Sequence, residues 1–141
     1  MNILKILTER RLTGNFGEDA AAKMLKKKGC KIIAKNLVEG DGEIDIVAED
    51  SEFLLFVEVK TRRFGAENPS EPRAASSVTP EKQRRIIRAA KSYISHRPTD
   101  KKIRFDVVEV YYDTNGKRRY VREINHLEGA FNMNTAKGYT R

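Results

Sequence analysis

The chain has 141 residues, of which 39% are hydrophobic and 34% charged, so it is long enough for one domain with a core. Its 28 Lys and Arg against 20 Asp and Glu give a net charge of +8, which predicts a polyanionic partner, nucleic acid above all. Its apolar runs are too short to span a membrane, and residues 1–12 are too charged for a signal peptide. We therefore predict a cytoplasmic protein without a membrane partner.

The charges are unevenly distributed. Residues 39–58 hold eight carboxylates, whereas no Lys or Arg occurs between Lys35 and Lys60. A basic body around an acidic centre suits a metal-dependent enzyme that acts on phosphates, because a cation must offset the repulsion between substrate and carboxylates. An acidic hairpin on the surface is the alternative. One cysteine and two histidines disfavour a zinc site, so any metal is expected to have oxygen ligands.

The first helix is predicted from Asn15, as N-cap, to Lys28, with Gly29 ending it. The second is predicted to start at Thr79 and Pro80 and to run to about Arg97. β-Branched and aromatic runs predict strands at 30–36, 42–48, 53–61, 102–112 and 118–124. The resulting order, α-β-β-β-α-β-β, is typical of an α/β domain whose central mixed sheet is covered by helices.

The domain boundaries follow from the same patterns. A single domain is predicted over 14–131, after an N-terminal extension, 1–13, and before a C-terminal tail, 132–141. Residues 63–79 lack a periodic apolar pattern and predict a mobile loop.

The strand over 53–61 has apolar residues on both faces, which predicts a central strand. Alternation places Glu58 and Lys60 on one face at its end. Asp45 also lies in an apolar strand, and buried carboxylates need partners or a cation. If an even number of residues links the two strands, Asp45 falls on the same face as Glu58. Two convergent carboxylates beside an ammonium group predict a Mg²⁺ or Mn²⁺ site.

Glu18 is the fourth candidate. On a helical wheel it borders the apolar face of the first helix, beside Ala21 and Leu25. The alternative is a capping box in which Glu18 reaches back to the backbone of Asn15.

Several motifs together identify a family. Asp45 followed by Glu58-Val59-Lys60 in the next strand resembles the PD-(D/E)xK nuclease superfamily, its Holliday-junction resolvase branch most closely. More narrowly, the chain from Gly14 to Phe131 is similar to the YraN family, through the segments GNFGEDAA, GEIDIVAED, FVEVKTR, KQRRIIRAAKSYI, RFDVVEV and HLEGAF. The resemblance implies a restriction-endonuclease-like αβββαβ core whose site comprises Glu18, Asp45, Glu58 and Lys60.

The chemistry of these residues agrees with that resemblance. Asp45 and Glu58 would hold a divalent ion with the Val59 carbonyl as third ligand, while Lys60 positions a water or stabilises charge on the phosphorane. The expected function is a metal-dependent endonuclease on structured or branched DNA, rather than RNA, with a homodimer supplying two sites. The alternatives are a nucleic-acid-binding protein without catalysis, a protein-interaction scaffold, and a salt-bridge cluster without function.

Six residues are candidate nucleic-acid contacts. Arg62 and Arg63 follow the site directly, and Lys82 and Gln83 lie in the first turn of the second helix. Arg84 and Arg88 are predicted on the solvent face of that helix, where an ordinary solvated surface is the alternative. Cys30, His96 and His126 are interpreted as structural or incidental.

Overall fold

The computed structural model describes residues 2–65 and 78–134, which form two helices and five strands in the predicted order. The helices are α1 (Ile3–Lys27) and α2 (Pro80–His96). The strands are β1 (Lys31–Glu39), β2 (Gly42–Glu49), β3 (Phe53–Arg63), β4 (Lys102–Asn115) and β5 (Arg118–Phe131).

The strands form a single mixed sheet in the order β1-β2-β3-β4-β5. The β3–β4 pair is parallel and the other three pairs are antiparallel. A parallel pair needs a crossover, which α2 supplies. The structure therefore confirms both the α/β class and the central position of β3, the strand with apolar residues on both faces.

Each face of the sheet packs against one helix. Ala21 and Leu25 of α1 pack with Val57 of β3 on one face. Ile86 and Tyr93 of α2 are in the core cluster on the other face. The sheet thus lies between two apolar layers, as the predicted layering requires.

The start of the first helix differs from the prediction. The helix begins at Ile3, with the Asn2 side chain accepting a 2.9 Å hydrogen bond from the backbone N–H of Leu4. Asn15 lies inside the helix, so its prediction as N-cap, and the capping box with Glu18, were wrong. The predicted end of the helix is confirmed, with Lys27 its last residue and Lys28 its C-cap. Gly29 then has φ of 92°, in the left-handed region that favours glycine.

At Gly17 the helix α1 lies close against the sheet. A Cβ at this position would lie 2.8 Å from the Cβ of Thr61 in β3, and closer still to its hydroxyl oxygen. A glycine inside a helix lowers helix propensity, but here it permits the packing that brings the α1 residue Glu18 to the sheet.

The remaining predictions differ mainly in element ends. β5 runs seven residues beyond the predicted Ile124, to Phe131. Most of the loop predicted at 63–79 lies outside the described residues, which exclude 66–77. The limits of the predicted domain stay predictions, and α1 runs unbroken through the proposed boundary at Gly14. Within the part of the chain that the structure describes, neither helix is long and apolar enough to cross a membrane.

Candidate functional site

The regular alternation of β2 is interrupted at Asp45. Ile44 packs in the α2-side core, whereas Ile46, two residues on, packs in the α1-side core. Residues two apart in a regular strand face the same side, so the backbone changes face between them. On the neighbouring strand Asn36 has φ of 52°, in the left-handed region. Asp45 therefore occupies a local irregularity rather than a regular strand position.

This irregularity places Asp45 against the middle of the central strand β3, where its pairing with β2 ends. The β2–β3 ladder ends at the pair Ile46 and Val57. One residue further, Asp45 Oδ2 accepts a 2.8 Å hydrogen bond from the backbone N–H of Val59. The Asp45 carboxyl group is also within hydrogen-bonding reach of the Glu58 side chain. The structure thus brings together the two carboxylates that the sequence nominated as metal ligands.

Glu58 is buried, with 8% of its side chain exposed. Burial raises the pKa of Glu58 to about 8, and the negative charge and the hydrogen bond of Asp45 act in the same direction. The Nζ of Lys82 in α2 lies 3.3 Å from Glu58 Oε1 and opposes that rise. Near neutral pH the pair therefore needs either a proton or a bound cation to balance its charge.

Lys60 lies on the same face of β3 as Glu58, on the α2 side of the sheet. Burial lowers the pKa of the Lys60 ammonium, and the charge of Lys82, within hydrogen-bonding reach, lowers it further. A lysine whose pKa is lowered is more often neutral than a surface lysine, and a neutral amine can accept a proton.

Glu18 approaches the same centre from α1. Its pKa is raised to about 7, chiefly by burial and next by the negative charge of Asp45. With the Asn36 amide oriented so that its nitrogen faces the carboxylate, that nitrogen donates to both Glu18 oxygens, at 2.6 and 3.2 Å. The left-handed Asn36 therefore positions Glu18 beside Asp45.

A metal at this site would need a backbone ligand. Among the described residues, no three Asp, Glu, His or Cys side chains are grouped closely enough to hold a metal ion by themselves. In an extended strand the N–H and C=O of one residue point to the same edge, so the Val59 carbonyl points toward the Asp45 side. The buried Glu58 carboxyl group and the partly buried Asp45 carboxyl group, together with this carbonyl, are a donor set of the hard oxygen type that Mg²⁺ or Mn²⁺ prefers.

The residues predicted to contact nucleic acid are dispersed. Arg88 forms a 2.9 Å ion pair with Asp41, which offsets its charge. Gln83 donates through Nε2 to the Val78 carbonyl at 2.9 Å, while its buried Oε1 has no hydrogen-bond partner among the described residues. Arg84 is exposed.

Arg62 and Arg63 alternate along β3, so the two side chains leave on opposite faces. Arg63 donates a 3.2 Å hydrogen bond to the Thr114 hydroxyl. Lys82, also predicted as a nucleic-acid contact, forms an ion pair with Glu58 within the acidic site.

Sequence reasoning missed two partners of the site. It did not predict the ion pair between Lys82 and Glu58, because that contact depends on how α2 packs on the sheet. It also missed Asn36, although asparagine is enriched at the left-handed conformation among residues other than glycine, and that was the available signal.

A second polar cluster lies near the opposite edge of the sheet. Asp106 is fully buried and bonds Arg104 through both side-chain oxygens, each at 2.9 Å, and His126 Nε2 at 2.7 Å. The Gly129 N–H donates to the same carboxylate at 3.0 Å. Both oxygens of Asp106 thus have hydrogen-bond partners, and these bonds join β4 to β5. This contact is the structural role predicted for His126.

The fold is of the restriction-endonuclease-like class, a mixed sheet between helices. Its central strand carries Glu58 and Lys60, and the neighbouring β2 carries Asp45. Residues 17–110 match the uncharacterised protein family UPF0102. The chain belongs to this family, which is the YraN family that its motifs predicted.

Relatives from several bacteria are similar over nearly their full length. A UPF0102 protein of Pelotomaculum thermopropionicum is 39% identical, over 86% of this chain and 97% of the relative. One from Syntrophotalea carbinolica is 40% identical, over 90% and 98% respectively. One from Clostridium perfringens is 44% identical, over 85% and 93%.

Proposed function

We propose that this protein is a metal-dependent endonuclease that hydrolyses phosphodiester bonds in structured or branched DNA, in preference to RNA. The observation that carries the proposal is the contact between the buried Glu58 carboxyl group, in the central strand, and the Asp45 carboxyl group of β2. Two carboxylates in contact contribute little to the stability of a fold, so their proximity favours a role in binding a cation.

Asp45, Glu58 and the Val59 carbonyl would hold Mg²⁺ or Mn²⁺. Such an ion, when bound, polarises a phosphodiester oxygen and lowers the pKa of a bound water. The protein's own residues prepare the site for it. The Val59 N–H holds Asp45 in place, and Asn36 holds Glu18 at the border between site and helix. Lys82 balances part of the negative charge before substrate arrives.

Lys60 positions the attacking water and accepts its proton. The lowered pKa of Lys60 increases the fraction of neutral amine that can do so. The water oxygen bonds to phosphorus as the bond to the leaving oxygen breaks, and the leaving oxygen takes up a proton. Once protonated, Lys60 stabilises the negative charge that accumulates on the phosphate.

Cleavage of both strands of a branched substrate requires two such sites. A homodimer on the DNA, in the cytoplasm, is therefore part of the proposal. The second candidate, a nucleic-acid-binding protein without catalysis, is favoured by the net charge of +8, which supports binding equally well.

The deciding experiment is a cleavage screen on linear, flapped and four-way DNA with Mg²⁺, Mn²⁺ or EDTA. Wild type should cleave at least one branched substrate with a metal and none in EDTA. Asp45→Asn should be inactive, because it removes a ligand charge while keeping the side chain's shape. Glu49→Gln is the matched control, since Glu49 is a carboxylate at the other end of β2.

Equal cleavage by wild type and Asp45→Asn would indicate a contaminating nuclease. Binding without cleavage by any of the proteins would favour the second candidate.

A further inference from the structure

A groove of about 1100 Å³ lies between the N-terminal half of α1 and the β4–β5 hairpin. Its lining is strongly basic, with Glu9 the only carboxylate among the described residues that line it. The five cationic residues of this basic groove are Lys5, Arg10, Arg63, Lys117 and Arg119. Such an excess of one charge sign in a concave surface raises the local potential and attracts polyanions.

The cations of the groove differ from those of α2 in their partners. On α2, Arg85 forms an ion pair with Glu81 at 3.1 Å, and Arg88 forms one with Asp41 at 2.9 Å. In the groove, four of the five cations form no ion pair within the part of the chain that the structure describes: Lys5, Arg10, Lys117 and Arg119. The fifth, Arg63, lies 3.8 Å from Asp113. The charge of the groove is therefore available to a ligand, whereas much of the charge on α2 is already offset.

The groove shares the central strand β3 with the acidic site. Val59 and Thr61 of β3 form part of its wall. The backbone N–H of Val59 holds Asp45. Glu58 and Lys60 alternate with Val59 and Thr61 along β3, so their side chains lie on the opposite face of the sheet. The groove therefore borders, from the α1 side, the segment of β3 that carries the acidic site.

The hydroxyl groups in the wall suit a phosphate ligand as well. Thr13, Thr61 and Thr114 line the groove. Threonine hydroxyls, lysines and arginines are the side chains that contact phosphates without reading sequence.

We propose that the basic groove binds the sugar-phosphate backbone of nucleic acid. The choice of nucleic acid as the partner rests on the proposed function. The inference nevertheless concerns binding, which can be measured without metal or cleavage. An acidic protein segment is the competing occupant, and the test below distinguishes the two.

The test compares two variants of equal charge. Lys117→Ala/Arg119→Ala removes two cations from the hairpin side of the groove, and Lys23→Ala/Lys27→Ala removes two exposed cations of α1 outside it. Binding to four-way and linear duplex DNA is measured in EDTA between low and moderate salt. Each lost phosphate contact lowers the slope of log affinity against log salt by about 0.9. The groove variant should lose about two units of slope and bind at least roughly tenfold more weakly near 0.1 M salt, whereas the control should stay close to wild type.

Two results would overturn the inference. Equal losses in both variants would show that affinity follows net charge rather than the groove. Absence of any DNA binding by wild type at low salt would favour the acidic protein segment. A second variant, Lys5→Ala/Arg10→Ala, tests the α1 side of the groove and should give the same loss as the hairpin variant; an unchanged affinity in this variant would count against the groove.

The outcome is separable from the endonuclease proposal. If wild type binds DNA through the groove but cleaves nothing with either metal, the groove is supported and the endonuclease proposal fails. If wild type cleaves while the hairpin variant binds and cleaves normally, the endonuclease proposal stands and the groove is overturned.

Discussion

Asp45 and Val59 are joined by a 2.8 Å hydrogen bond from the backbone N–H of Val59 to Asp45 Oδ2. The bond forms one residue beyond the last paired position of β2 and β3, where β2 changes face. It fixes a carboxylate of β2 against the middle of the central strand β3, beside Glu58. Substitutions of Glu58 and Lys60 distinguish a metal site from an inert cluster of charges.

Glu58→Gln should abolish cleavage, with a loss of at least roughly 100-fold in rate, because the amide cannot replace a carboxylate ligand. Binding of DNA in metal-free buffer should be equal or slightly tighter, since one negative charge near the phosphates is gone. Mn²⁺ should raise the melting temperature of wild type and leave that of Glu58→Gln unchanged.

The salt-bridge interpretation predicts the opposite pattern for the same variant. Removing one partner from a purely structural cluster leaves charge unpaired and destabilises by roughly 3 to 5 kcal/mol. A wild type indifferent to Mn²⁺, together with a Glu58→Gln protein that unfolds much earlier, would therefore rule out the metal site. Glu49→Gln serves as the matched control for the loss of one carboxylate from a strand.

Lys60→Ala should lose cleavage but keep the stabilisation by Mn²⁺, since lysine is not a ligand for a hard cation. Lys60→Arg distinguishes two roles for the ammonium group. Arginine keeps the positive charge and stays protonated, so it cannot accept a proton from water. An inactive Lys60→Arg protein that still responds to Mn²⁺ supports proton transfer. Restored cleavage would show that positive charge alone is sufficient.

Without metal, stability should fall as the pH rises from about 5 to 8. The folded-state pKa values of Glu18 and Glu58, about 7 and about 8, lie above the ordinary value of 4.5. The folded protein therefore holds protons that the unfolded chain releases, so this stability is complete below about pH 4.5 and is lost as the pH passes through 7 and 8. For Glu58 alone the decrease is at most about 1.4 kcal/mol per pH unit.

Urea denaturation in EDTA at several pH values measures this slope. Glu58→Gln should flatten it, because the amide does not titrate, and Glu49→Gln should leave it as in wild type. An identical slope in wild type and Glu58→Gln would contradict the raised pKa of Glu58.

Gly17→Ala should destabilise the protein, by about 1 to 3 kcal/mol or more, because the added methyl group meets the Thr61 side chain. Gly14→Ala is the control in the same helix. A Cβ there meets no atom within 4 Å, so the better helix propensity of alanine should stabilise by about 0.5 to 1 kcal/mol. Free energies of unfolding from denaturant titration check both values. A neutral Gly17→Ala variant would contradict the close approach of α1 to β3.

The sequence alone determined the order of the elements and the central place of β3. Period-two alternation and an apolar character on both faces are local properties, and burial of both faces leaves such a strand only an interior position. The spacing of Glu58 and Lys60 determined their common face for the same reason. The family motifs supplied the assignment to UPF0102 independently of any coordinates.

Only the tertiary structure determined which side chains of the acidic site are in contact. The change of face at Asp45 depends on a left-handed Asn36 in a neighbouring strand, and local patterns carry no signal for such a pairing. The contact of Lys82 with Glu58 depends on the docking of α2. The basic groove combines residues more than a hundred positions apart, such as Lys5 and Lys117, which become neighbours only when a helix and a hairpin pack together. Burial and long-range contacts shift the pKa values of the acidic site and determine which cations of the groove lack an ion pair. Burial and such contacts exist only in the folded chain.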